Sequence, residues 1–401
     1  MNSRSKFVVV MSSTFLVILL LLGSVMSKGA SAESGGAGVY KHIAVYTEVL
    51  SRIKGEYVEE PDMKNVTLGA LNGMLEAIDP FASYLNAEQY KDYLKNFDAY
   101  RGDLGLVLAK KFGYITVVGA VPNSPAAKAG LTTGDMIETI KGVATRDMPL
   151  AYANLLLKGQ PGSSIEMSVL RRKPEPQKMT LTRAVIAYPP VVSKMLENNI
   201  GYVEPETLAN GKVQEIAADL ADLQKKGAKK FVLDLRNCAV GAPEDGIELA
   251  NLFLDKGLIA YVQGQRYTRQ DFKADPQKEV TNLPLVVITN RGTASAAEIA
   301  AAALQSDKRS EVIGERTYGD ASIRRPITMD DGAAVILSVA KYYSPDGKAI
   351  QDSGVTPGTL IMEPDSQVEL DDEGNPVGND ETGKKPGEDV LLKKAIEVLN
   401  K

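Results

Sequence analysis

A chain with one histidine and one cysteine among 401 residues has few routes to chemistry. Cys238 has no second cysteine to pair with, so packing alone must hold the fold. A zinc site takes several His or Cys ligands, so neither a metal centre nor a cofactor is expected. A Ser-His-Asp triad needs an imidazole against the serine. The only candidate, His42, stands among Ile43, Tyr46, Val49, Leu50 and Ile53 at helical spacing, as a surface or boundary residue of an amphipathic helix. Basic residues are also short: Lys and Arg number 46 against 51 Asp and Glu, a net charge of -5 that makes nucleic acid a poor partner. There are no internal repeats.

What is present is ordinary globular material, 44% hydrophobic, of a length that predicts two or three domains. Arg4 and Lys6 precede an apolar run, and Ala30-Ser31-Ala32 supplies the small-x-small pattern of a cleavage site, so residues 1–32 read as a secretory signal. The run, about 19 residues, is also long enough to stay as an uncleaved anchor. Either way the body is expected outside the cytoplasm, periplasmic or tethered to the inner membrane.

Residues 33–100 are expected to form a small helical module broken at Asp79-Pro80. Residues 101–185 change to short strands, among them Tyr114-Ile115-Thr116-Val117-Val118 and Met136-Ile137-Glu138-Thr139-Ile140. A short helix closed by Gly130 and a second helix over about 149–158 complete the segment. This order of elements resembles a PDZ domain. The resemblance implies that the loop Leu104-Gly105-Leu106-Val107 turns its N–H groups toward the carboxylate of a peptide that adds to the sheet edge.

Over 186–361, buried strands such as Phe231-Val232-Leu233-Asp234-Leu235 and Leu285-Val286-Val287-Ile288-Thr289 alternate with helices, the pattern of a parallel sheet covered on both faces. Residues 362–401 turn acidic and polar, a solvated linker, before a terminal amphipathic helix. In the core, Ser295 follows a buried strand and opens an Ala-rich helix, where free N–H groups and the helix dipole favour a developing negative charge. Ser295 then suits an acyl-transfer nucleophile, with the N–H of Ala296 as an oxyanion donor. Ser295-Ala296-Ala297-Glu298 is equally a capping box, which needs no catalysis. On these residues both readings stay open.

Six segments in order resemble the landmarks of the C-terminal processing, or tail-specific, serine peptidases. They are Asp79-Pro80-Phe81-Ala82-Ser83-Tyr84-Leu85, the PDZ-like region, Leu233-Asp234-Leu235-Arg236-Asn237, the Ser295 segment, Gly314-Glu315-Arg316-Thr317-Tyr318-Gly319 and Tyr342-Tyr343-Ser344-Pro345-Asp346-Gly347. The resemblance implies an α/β multidomain chain with a helical module, a PDZ-like domain and a crotonase-like α/β protease core. It implies Ser295 as nucleophile and a lysine base after Gly319. That position holds Asp320, and the family glutamine one turn on is Arg324. The family loop Asn-Asn-x-Gly-Gly reads Asn237-Cys238-Ala239-Val240-Gly241, and a β-branched residue adopts a left-handed glycine conformation only at a cost.

A serine–lysine dyad works because burial makes the amine neutral, so that it can take the serine proton. Aspartate, with a reference pKa of about 3.9, is a weak base for a hydroxyl. Lys308 and Lys341 are alternative bases, though a solvated role is the simpler one for both. Three roles follow. The first is a tail-binding protein with impaired hydrolysis, the second an active endopeptidase with a non-standard base acting on tails of exported proteins. The third is a subunit of a homo-oligomer, or of a hetero-oligomer with an active relative.

Overall fold

The computed structural model describes residues 34–111, 113–146, 148–171, 175–362 and 389–401. The signal expected over 1–32 and the acidic stretch 363–388 lie outside them. The chain divides into two compact units, 1–68 and 69–401. In the first, helix α1 (Ser34–Glu56) carries His42 exposed, as its surroundings suggested. No described helix is long and apolar enough to cross a membrane. Helix α2 (Met63–Glu76) spans the division.

The helical stretch breaks where expected, because the Asp79 carboxylate accepts the N–H of Phe81 at 2.8 Å and ties off a turn. A short strand, β1 (Ser83–Leu85), follows, and then helix α3 (Ala87–Asn96), closed at its start by an Asn86–Gln89 capping box.

The β-rich segment contains β2 (Leu106–Lys111), β3 (Tyr114–Ala120), helix α4 (Pro125–Lys128), β4 (Met136–Ile140), β5 (Val143–Ala144), helix α5 (Leu150–Leu157), β6 (Ser164–Leu170) and β7 (Gln177–Thr182). Its antiparallel sheet runs β2-β3-β4-β6-β7, with β5 against β4, so β2 is an edge. Ser124 caps α4, and Gly130 at φ 71 ends that turn. Leu104, Ile115, Ile137, Ile165 and Val169 fill the interior together with Leu150 and Leu157 of α5.

The remaining elements are β8 (Val192–Leu196), β9 (Ile200–Glu204), helix α6 (Lys212–Lys225), β10 (Lys230–Asp234), helix α7 (Pro243–Asn251), β11 (Leu258–Gly264), β12 (Tyr267–Lys273), β13 (Leu285–Thr289), helix α8 (Ala296–Ser306), β14 (Glu311–Gly314), β15 (Ser322–Thr328), β16 (Ala334–Tyr343), β17 (Thr359–Leu360) and helix α9 (Val390–Leu399). Strands β9, β10, β13, β14 and β17 are parallel, and β8 closes one edge antiparallel. One face of this sheet packs on α6, α7 and α8, and the other takes Leu391, Ala395 and Leu399 of α9. A second sheet, β1-β16-β11-β12 with β15 on β16, was not anticipated. β1 joins it through Ser83 opposite Ile336, so the module's landmark segment is a strand of the core.

Candidate active site

Strand β13 is buried at all five positions and delivers the chain, through 290–294, to Ser295 at the start of α8. Ser295 sits at φ 56, ψ -123, a conformation that costs a non-glycine residue about 1–3 kcal/mol and persists only where neighbours over-determine it. Asn290 is one such neighbour. Its Oδ1 accepts the N–H groups of Asn237 and Gly292, both at 3.0 Å, and its Nδ2 donates to Asn237 Oδ1 at 3.1 Å. The Thr293 hydroxyl accepts the Asn290 N–H and donates to the Leu235 carbonyl at 2.8 Å. Ala294 N–H reaches the Cys238 carbonyl at 3.0 Å. The loops after β10 and β13 are thereby laced together. Gly292 is required because a Cβ there would lie 2.6 Å from Asn237 Oδ1. Sequence reasoning passed over Asn290 and Thr293; the available signal was their place at the carboxyl ends of parallel strands, where α/β sheets put their sites.

Ser295 is partly exposed while the residues on either side of it are buried. The capping box expected here is half built: Glu298 accepts the Ser295 N–H at 3.0 Å, but the Ser295 side chain caps no N–H of the helix. Its Oγ–H donates instead to the Gly241 carbonyl at 3.2 Å. The hydroxyl is therefore free of the helix and lies at its N-terminus, beside Ala296, where the dipole favours an oxyanion.

Glu298 is fully buried and gathers four donors. Oε2 accepts the N–H of Ser295 and of Asp320 (2.8 Å), and Oε1 accepts the N–H of Gly319 (2.7 Å) and the Thr317 hydroxyl. Burial pushes its pKa up to about 7, against the pull of those donors, and the Asp320 charge adds to the rise. One carboxylate thus binds the backbones of Ser295 and Asp320 into a single cluster.

Asp320 is buried at 9% exposure and its carboxylate pairs with the Arg324 guanidinium. Burial raises its pKa, Arg324 opposes the rise, and the charges of Asp79 and Asp352 add to it. Arg324 also stacks on Phe81, with Cζ 4.0 Å from the ring centroid, and Phe81 meets Tyr318 edge-on at 6.1 Å. Burial carries the Tyr318 hydroxyl up to about 12. Of the alternative lysines, Lys341 is ion-paired with Asp352 at 2.6 Å, and Lys308 is an exposed residue just past α8.

In the loop after β10 the left-handed residue is Asn237 at φ 57; Val240 is not in that region, so its branched side chain causes no strain there. Its carbonyl accepts the Leu208 N–H at 2.8 Å and the Thr207 hydroxyl at 3.1 Å. The Cys238 thiol beside it is fully buried, and burial raises its pKa well above the ordinary range.

Helix α7 crosses the first turn of α8 through Gly246, where a Cβ would fall 2.1 Å from the Ala296 carbonyl oxygen. Gly246→Ala must therefore displace backbone at the start of the Ser295 helix. Overpacking of this kind costs about 1–3 kcal/mol. The variant is expected to unfold at lower urea concentration and to label with a fluorophosphonate at Ser295 more slowly than the native chain; equal midpoints and equal labelling would show that the helices part without consequence.

At the edge of the β-rich domain, Leu104 is fully buried and Gly105 takes φ 77 with no room for a side chain, since a Cβ would lie 2.4 Å from Ser124 Cβ. Leu106 and Val107 begin β2 and are partly exposed. The Gly105 N–H is held by Asp103 Oδ1 at 2.9 Å, and the carbonyls of Leu104 and Gly105 accept from Ala126 and Val121. The domain interior continues into the core through Phe81, Ala239 and Ala294, with Tyr318 packed against it.

Residues 199–361 match peptidase family S41, a span that includes Ser295, Glu298 and Asp320. Residues 116–171 match the PDZ domain, a span that begins within β3 and so leaves β2 and the loop 104–107 before it. The carboxy-terminal processing protease CtpA of Bacillus subtilis is 32% identical over 349 residues, which cover 86% of this chain and 74% of that protein. The carboxyl-terminal-processing protease of Synechocystis is 32% identical over 321 residues, 78% of this chain and 75% of that one. Among solved structures, the photosystem II D1 C-terminal processing protease superposes with a TM-score of 0.65 at 26% identity, over 84% of this chain and 98% of that one.

Proposed function

The chain belongs to the carboxy-terminal processing proteases of peptidase family S41, and from that membership we propose that it is exported, binds the C-terminal tails of exported proteins through its PDZ domain, and hydrolyses them poorly. The observation that carries this reading is the ion pair of buried Asp320 with the partly exposed Arg324, at the position where the resemblance expects a neutral lysine and where Glu298 holds the backbone N–H. Without a base, the Ser295 proton has nowhere to go as the Oγ–C bond forms, and general-base help is worth about 10²- to 10⁴-fold in rate. Asp320 is poorly suited to supply it, because its carboxylate is engaged by a guanidinium.

Tail binding is supported by the edge position of β2 and by helix α5, which packs beside β2 and brings Tyr152 and Leu156, partly buried apolar residues like Leu106, to the same core. An extended peptide would add to β2 through its main chain and set its last side chain among them. Export rests on the basic residues and apolar run of residues 1–32. Assembly with an active relative would give such a binder a role in presenting tails.

Titration calorimetry of the full chain with a peptide ending in an apolar residue and a free carboxylate tests this. The native chain and Ser295→Ala are expected to bind it with the same Kd, and mass spectrometry is expected to find it intact after incubation with either. Cleavage by the native chain that disappears in Ser295→Ala would replace this reading with that of an active endopeptidase using a non-standard base. The strained, partly exposed Ser295, whose hydroxyl is not spent on capping, is what favours that second reading.

A further inference from the structure

The segment 79–85 stood out in the sequence, yet neither the nucleophile nor the tail loop uses it. Its strand, β1, belongs to the core sheet, with Ser83 opposite Ile336, Tyr84 opposite Val335 and Leu85 opposite Ala334. The Asp79 carboxylate fastens its beginning to the Ser338 N–H of β16 at 3.2 Å. The strip is a fixed part of the core.

Helix α5, which on the tail-binding reading would flank the peptide beside β2, starts with a defect. Its N-cap is Pro149, which has no side-chain oxygen, and the helix has no side-chain cap of its own. The first N–H groups of a helix need partners from outside it, and a missing cap destabilises the first turn. The Ala151 N–H finds its partner 68 residues upstream, donating to Ser83 Oγ at 3.0 Å. Ser83 is 1% exposed, so water cannot readily take its place. Leu85 adds an apolar grip, packing in one buried cluster with Ala151, Tyr90 and Ile336.

We infer that Ser83 is a positioning residue for tail capture: from the core sheet it caps the helix that would flank the peptide and so sets the distance between α5 and the accepting edge of β2. This rests on the tail-binding reading above. The PDZ domain is thus incomplete as an independent recognition module, its helix α5 being finished by a hydroxyl that the core presents.

The test uses the full chain, a short peptide ending in an apolar residue with a free carboxylate, and two readouts: peptide Kd, and hydrogen exchange of the amides at 151–153. Ser83→Ala is expected to speed exchange at those amides about tenfold, in line with the loss of a cap, and to weaken the peptide by about fivefold to tenfold. Adding Pro149→Asp to Ser83→Ala gives the helix a cap of its own and is expected to return both values toward native, which a general loss of packing at position 83 would not allow. Unchanged exchange in Ser83→Ala overturns the inference, as does faster exchange with an unchanged Kd, since the cap would then be structural only. If the native chain binds no such peptide, tail binding fails and takes this inference with it; that result is distinct from a native Kd that Ser83→Ala leaves alone.

Discussion

The double variant Asp320→Lys/Arg324→Gln is expected to cleave a tailed substrate about 10²- to 10⁴-fold faster than the native chain, the range by which a positioned general base accelerates a reaction. Position 320 is buried, and its backbone shares the Glu298 carboxylate with that of Ser295, so an amine there would be brought to the serine cluster and held largely dry. Desolvation would lower its pKa and supply the neutral amine that takes the hydroxyl proton. The lysine alone is expected to do much less. Arg324 reaches the residue-320 side chain now and would face the new amine as a like charge at close range. Glutamine at 324 removes that charge and leaves an amide to orient the lysine. Single-turnover kinetics of the native chain, both single variants and the double variant, each with Ser295→Ala as a control, decide the matter. A folded double variant that stays inert would move the defect to the loop 237–241.

Glu298→Gln is expected to be the most damaging conservative substitution in the molecule. Four donors converge on two carboxylate oxygens, and an amide replaces one of those oxygens with an NH₂ that accepts nothing. Two donors are left facing a third, and each buried donor without a partner costs about 1–3 kcal/mol. The expected result is a loss of several kcal/mol in urea unfolding, with slower labelling of Ser295 as the 317–320 loop comes away from α8. The native chain should also show a pH dependence that this variant lacks. Burial raises the folded pKa of Glu298 to about 7, above its unfolded value, so the folded state holds the extra proton between the two. Its contribution to stability is fully present below about pH 4.3 and is lost as pH rises through about 7. Asp320 is also raised by burial and acts with the same sign. The native Tm should therefore fall between pH 5 and pH 7.5, and Glu298→Gln should flatten that slope. A slope unchanged in the variant would assign the dependence to Asp320 or to another carboxylate.

The alternating and continuous apolar runs were enough to place the parallel strands, the PDZ-like strand order and the helix that Ser295 opens, because each is a local pattern with a local period. Segment order pointed to the family, and single positions showed Asp320 and Arg324 where a lysine and a glutamine were expected. The second sheet escaped notice. β15 and β16 carry mixed polar and apolar residues, and β1 is three residues long, so their pairing depends on partners distant in sequence. The same limit applied at the site. Ser295-Ala296-Ala297-Glu298 spells a capping box, and whether its hydroxyl caps the helix or leaves it depends on φ at one residue, which is set by Asn290, Thr293 and the Gly241 carbonyl.

By itself, the sequence determined the class of chemistry and its weak point: a serine without a histidine, on a helix N-terminus, with a carboxylate where an amine is expected. Only the tertiary structure decided that Asp320 is tied to Arg324, that Glu298 joins two loops through four donors, and that a core serine finishes a PDZ helix. The reason is range. Periodicity and residue type report the few angstroms around each residue, whereas these bonds close between groups up to 68 positions apart, whose meeting is fixed by how the sheets pack.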